Sequence, residues 1–87
     1  MARTVEFIWV SKEAWIFLEE TNRRKEGRPP MSDQFREKAW RRRHHDSKGR
    51  AIIYNDSFTG WTLEDVRRML GKEGYPYEAG STEATGC

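Results

Sequence analysis

A tryptophan set among arginines is the part of this chain whose residue types are most typical of ligand binding. Residues 23–50 hold eleven Lys or Arg and four Asp or Glu, a net charge of +7, whereas the whole chain carries only +2. Arginines neutralise phosphates, and an indole ring stacks on a base or supports a guanidinium. The candidate binding residues are Arg36, Trp40, Arg41, Arg42, Arg43, His44, Lys48 and Arg50.

This basic segment predicts a protein that binds nucleic acid without catalysing a reaction. The alternative is a regulator or inhibitor of the type that phages and mobile elements encode, whose basic residues bind an acidic surface of another protein. Residues 1–22 and 51–87 have net charges of −2 and −3, so charge is strongly segregated along the chain. Binding to nucleic acid and binding to an acidic protein surface differ in salt dependence, because contacts with several phosphates weaken steeply as salt rises. A basic run of this kind also occurs at helix ends where the charged side chains contact only water and bind no partner.

The two histidines do not belong to a recognisable set of catalytic residues. His44 and His45, followed by Asn55, are partly similar to small nucleases that use a histidine base and a nearby asparagine. That pattern needs a further metal-binding histidine or acid at a set spacing, and the chain has only two histidines. Two histidines and one cysteine also exclude a four-ligand zinc site within one chain. We therefore expect no enzymatic activity, no catalytic residue, no metal and no cofactor.

The basic residues need a helix to position them, and the residues from Ser32 onward predict one. Serine is a favourable N-cap, and positive charge is favoured near a helix C-terminus. At 100° per residue, Phe35 and Ala39 point inward together, and Trp40 lies about 140° round the helix from Phe35. Two positions for Trp40 stay open: exposed between the arginines, or packed beneath the first helix.

The rest of the pattern predicts a small α+β domain in the order β-α-α-β-α, with two strands paired in a short sheet. Residues 4–10 and 51–55 are rich in β-branched and aromatic side chains. Helices are expected over residues 12–25 and from Thr62 onward. Residues 14–20 also fit a strand, so an N-terminal β-hairpin with a ββαβα order is the alternative.

The length and composition set the remaining expectations. Residues 1–77 are expected to form a single globular domain, and the small polar residues 78–87 a disordered tail. The longest apolar runs, residues 7–10 and 14–18, are far too short to cross a membrane. A single cysteine excludes an internal disulfide, and the N-terminus lacks the apolar stretch of a signal peptide. We therefore expect a cytoplasmic protein that does not bind membranes.

Overall fold

The computed structural model describes residues 2–43, 45–55, 57–58 and 60–85. The elements in chain order are β1 (Ala2–Val10), α1 (Lys12–Lys25), α2 (Asp33–Arg41), β2 (Ala51–Tyr54), α3 (Leu63–Glu73) and β3 (Tyr77–Thr85). The α+β class and the β-α-α-β-α order of the first five elements are confirmed. The alternative N-terminal hairpin is wrong, because the stretch that also fitted a strand is part of α1.

The sheet has three antiparallel strands in the order β2-β1-β3, not the two that the sequence predicted. Residues 7–10 of β1 pair with residues 51–54 of β2. On its other edge, the whole of β1 pairs with residues 77–85. Residues 78–85 of the predicted disordered tail are therefore corrected to part of strand β3, and residues 86–87 lie outside the described residues. The physical reason is that backbone N–H and C=O groups on the free edge of β1 need partners, and even a polar segment can supply them.

The core lies between one face of the sheet and the helices. Alternate strand residues Ile8, Val10, Ala51 and Ile53 are fully buried on that face, as the two-residue repeat of a strand requires. The buried helix residues that pack on them are Ala14, Trp15 and Leu18 from α1 and Leu63, Val66 and Leu70 from α3. Their three- and four-residue spacing gives each helix one apolar stripe.

The helix starts are set by the capping residues that the sequence indicated. The hydroxyls of Ser11 and Ser32 each accept a hydrogen bond of 3.2 Å from the backbone N–H three residues later. Thr62 and Asp65 form a reciprocal capping box, with two hydrogen bonds of 3.1 Å. Gly74 ends α3 with a φ of 79°, a left-handed conformation that glycine adopts without steric cost.

Helix α2 lies on the surface, and none of its residues is buried. The prediction that Phe35 points inward is wrong, since its side chain is 49% exposed. Ala39 and Trp40 face the core instead. The larger indole ring gains more from burial than the phenyl ring, and Phe35 is partly covered by the guanidinium of Arg23, 4.8 Å from the ring centroid.

Candidate functional site

Two of the predicted binding arginines fasten α2 to α1. Arg36 Nη2 lies 3.2 Å from Glu20 Oε1, and Arg43 Nη2 lies 2.9 Å from Glu19 Oε1. The arginine side chains are only 27% and 25% exposed, so these ion pairs are partly shielded from water. Both ion pairs therefore hold the basic helix against α1, and Arg36 also pairs with Asp33 of its own helix.

Arg50 is held between two carboxylates from different parts of the chain. Its guanidinium lies 2.7 Å from Asp46 Oδ2 and 2.8 Å from Glu78 Oε2. Burial alone would raise the pKa of Asp46, but hydrogen bonds from the backbone N–H and the guanidinium of Arg50 bring it below its ordinary value. The hydrogen bond from Arg50 likewise lowers the pKa of Glu78. Both acids are thus ionised at neutral pH and compensate the charge of Arg50.

Trp40 packs against the core side of α2 rather than standing free among the arginines. Its ring centroid lies 5.3 Å from that of Trp15 and 4.5 Å from that of His45. Of the two positions that the sequence left open, the structure has the packed one. The side chain is half-buried and supports the end of α2 from the core side.

Three predicted cations are exposed and form no ion pair with a carboxylate among the described residues: Arg41, Arg42 and Lys48. Arg41 is the last residue of α2, and Arg42 is its C-cap. Glu37 stands one helical turn before Arg41, but its carboxylate is paired with Lys12 of α1. The remaining predicted residue, His44, lies outside the described residues.

The turn that carries Lys48 is organised by one carboxylate. Asp46 Oδ1 accepts hydrogen bonds from the backbone N–H of Lys48 at 3.0 Å and of Arg50 at 2.8 Å. Gly49 has a φ of 75°, a conformation in which a side chain would be strained. Lys48 is therefore presented on a turn of defined shape between α2 and β2.

A surface cavity of about 310 Å³ joins the end of the basic helix to the edge strand β2. It is lined by Ala39, Arg42, Arg43, Ile52, Tyr54 and Ser57. Tyr54 is 39% exposed and lines this cavity together with Arg42. Sequence reasoning missed Tyr54. The alternation of residues 51–54 was the available signal, because it separates residues 52 and 54 from the buried pair 51 and 53.

The sheet face opposite the core, called here the open sheet face, also carries apolar side chains. Its residues are Val5, Phe7 and Trp9 of β1, Ile52 and Tyr54 of β2, and Glu78, Gly80 and Thr82 of β3. The Phe7 ring centroid lies 5.5 Å from that of Trp9 and 6.0 Å from that of Tyr54, so the three rings form one cluster centred on Phe7. Phe7 also covers Gly80, where a Cβ would come within 2.6 Å of the ring.

Within residues 2–43, 45–55, 57–58 and 60–85, no group of three His, Cys, Asp or Glu could hold a metal ion. In the same part of the chain, no helix has the length and apolar character needed to cross a membrane. Comparison with protein-family models, curated proteins and solved structures finds no match.

Proposed function

We propose that this protein binds nucleic acid, without catalysing a reaction, through the cations at the end of α2 and in the turn that follows. The observation that carries the proposal is that Arg41, Arg42 and Lys48 are exposed without a carboxylate partner in the described part of the chain. The chain has fourteen Asp and Glu residues, and several of them pair with the other arginines. Cations that stay unpaired are available to phosphates, and their binding releases counterions.

The proposal gives the predicted residues different roles. Arg41, Arg42 and Lys48 contact phosphates. Arg36, Arg43 and Arg50 hold the helix and the turn in place through their ion pairs. Trp40 supports the helix end from the core side. We place this activity in the cytoplasm, which a chain with a single cysteine favours.

The test is the double variant Arg41→Glu/Arg42→Glu, measured by fluorescence anisotropy with labelled DNA and RNA over a series of salt concentrations. We expect the wild type to bind with a Kd that rises steeply with salt, because phosphate contacts dominate. The variant loses two such contacts. Its affinity at low salt should therefore fall strongly, and any residual log–log salt slope should be shallower by about 1.4–1.8.

The matched control is Arg24→Glu/Lys72→Glu. Arg24 and Lys72 are exposed and stand in the last turns of α1 and α3, so the change in charge and the effect on helix ends are the same. We expect this control to keep most of the binding. Equal losses in the two variants would refute the assigned site. A wild type that binds neither polymer at low salt would refute nucleic-acid binding and favour an acidic protein surface as the partner.

A further inference from the structure

We infer that the open sheet face stacks unpaired bases, so that the ligand is single-stranded nucleic acid. This inference rests on the proposed function, because it names the class of nucleic acid that the same region binds. It adds Trp9, Phe7 and Tyr54 to the site, three residues that lie outside the basic segment.

The composition of this face is unusual for a solvated sheet surface. Antiparallel sheets with one solvated side normally alternate apolar and polar residues. Here Val5, Phe7, Trp9, Ile52 and Tyr54 are all apolar or aromatic, and none belongs to the core between sheet and helices. All five keep part of their surface in water. A contiguous apolar patch of this kind marks an interaction surface.

The geometry of the rings suits several bases bound one by one. The plane of Phe7 is inclined by 76° to that of Trp9 and by 69° to that of Tyr54. Neighbouring rings therefore present different directions, and no single base can lie flat on all three. In a duplex the base faces are covered by the neighbouring base pairs, so aromatic side chains stack on bases that are unpaired.

Charge complementarity indicates a nucleic acid rather than another apolar surface. Tyr54 is the member of the ring cluster on β2, and it lines the same cavity as the unpaired Arg42. Glu78 is the acid on the described part of this face, and its carboxylate is bound by Arg50 at 2.8 Å. Lys48 also acts on Glu78, since its charge contributes to the lowered pKa of that group. A nucleic-acid strand that crosses the rings can therefore place its phosphates near the cations at the β2 edge of the sheet.

The experiment compares Tyr54→Ala with Tyr77→Ala, using single strands of about 12 nucleotides and duplexes of equal length. The two tyrosines are both 39% exposed, but Tyr77 pairs with Val10 and so lies off the open sheet face. We expect the wild type to prefer the single strand. Tyr54→Ala should weaken single-strand binding about 5- to 150-fold, with duplex binding unchanged. Tyr77→Ala should change neither, and Tyr54→Phe should keep the wild-type affinity.

A second readout does not depend on removing Tyr54. Single strands should quench part of the tryptophan fluorescence of Trp40→Phe, a background that removes the half-buried tryptophan beside the cationic site. Adding Trp9→Phe should abolish that quenching, because Trp15 is fully buried and Trp61 nearly so. No quenching in Trp40→Phe, or quenching that persists in Trp9→Phe/Trp40→Phe, would overturn the inference. A dimer in light scattering that becomes a monomer in Trp9→Leu would also overturn it, since a second copy would then cover the face.

The outcomes separate this inference from the proposed function. If Arg41→Glu/Arg42→Glu loses binding while Tyr54→Ala binds single strands like the wild type, nucleic-acid binding stands and base stacking fails. If the wild type binds neither single strands nor duplexes, both fail. If Tyr54→Ala weakens the binding of single strands and of duplexes equally, Tyr54 supports the fold or the cationic site, and the inference of base stacking fails.

Discussion

At the scale of single residues, Asp46 organises the turn that precedes β2. It accepts hydrogen bonds from two backbone N–H groups of its own turn and pairs with the guanidinium of Arg50. Arg50 in turn binds Glu78 of β3. One carboxylate thus links the turn that presents Lys48 to a strand at the far edge of the sheet.

The lowered pKa of Asp46 predicts a defined pH dependence of stability. A carboxylate whose pKa is lower in the folded than in the unfolded state stabilises the fold above the unfolded pKa, near pH 4. This contribution is lost as pH falls through the folded pKa. We expect the Tm of the wild type to fall below about pH 4. Asp46→Asn should have a lower Tm at neutral pH, and its difference from the wild type should shrink in acid.

The measurement is thermal unfolding by circular dichroism across a pH series. Glu37, Asp65 and Glu78 also have pKa values below their ordinary range, so the variant should retain some loss of stability in acid. Melting curves of wild type and variant that stay separated by the same amount down to the lowest pH would show that Asp46 does not titrate as described.

The orientation of α2 shows why some residues could not be placed from the sequence. Helical periodicity correctly separates Phe35 from Trp40, but it does not say which of the two turns inward. That choice depends on Trp15 of α1, whose ring receives Trp40, and on Arg23, which covers Phe35. Both partners come from another element, so this information is absent from the helix itself.

At the scale of elements, α3 and β3 are the two extremes of predictability. Helix α3 carries its own signals: a capping box at Thr62 and Asp65, an apolar stripe, and Gly74 after its last turn. Strand β3 has the sequence YEAGSTEAT, and it has no apolar alternation that indicates a strand. Its conformation is set by β1, because strand formation depends on the neighbouring strand more than on intrinsic propensity.

Ending the chain after Pro76 should therefore destabilise the fold. The truncated chain loses the pairing of nine residues with β1, the ion pair of Glu78 with Arg50, and the close packing of the Phe7 ring on Gly80. Ordering entropy offsets part of this gain, so we expect a net loss of about 1–3 kcal/mol. Urea unfolding should show a lower midpoint and a smaller m-value, since less surface is buried. An unchanged midpoint and m-value would mean that β3 contributes nothing to stability.

At the scale of the whole molecule, part of the positive charge of the basic segment is neutralised within the fold. The net charge of +7 in residues 23–50 predicts a basic surface, but several of its arginines are paired with acids. Glu19, Glu20 and Glu78, from the acidic flanks, pair with Arg43, Arg36 and Arg50. A charge count therefore identifies the segment, whereas the separation of free from paired cations requires the tertiary structure.

The aromatic residues of β1 illustrate the same limit. The alternation of residues 4–10 places Val5, Phe7 and Trp9 on one side of the strand. It does not show that the helices pack on the opposite side. The open sheet face follows only from the burial of Ile8 and Val10 beneath α1 and α3.

The pairing of β1 with β3 also has a kinetic consequence. The two strands come from opposite ends of the described chain, with Ala2 opposite Thr85. A chain must close a loop of nearly its full length before these strands meet, and the entropy cost of that closure disfavours the pairing early in folding. We expect β3 to form after the rate-limiting step, so Thr82→Gly should accelerate unfolding and leave the refolding rate nearly unchanged.

Stopped-flow tryptophan fluorescence measures both rates, and slower refolding would place β3 in the folding nucleus. If β3 forms late, the lifetime of the native state, and its resistance to proteases that attack the unfolded chain, depends on a polar strand at the edge of the sheet.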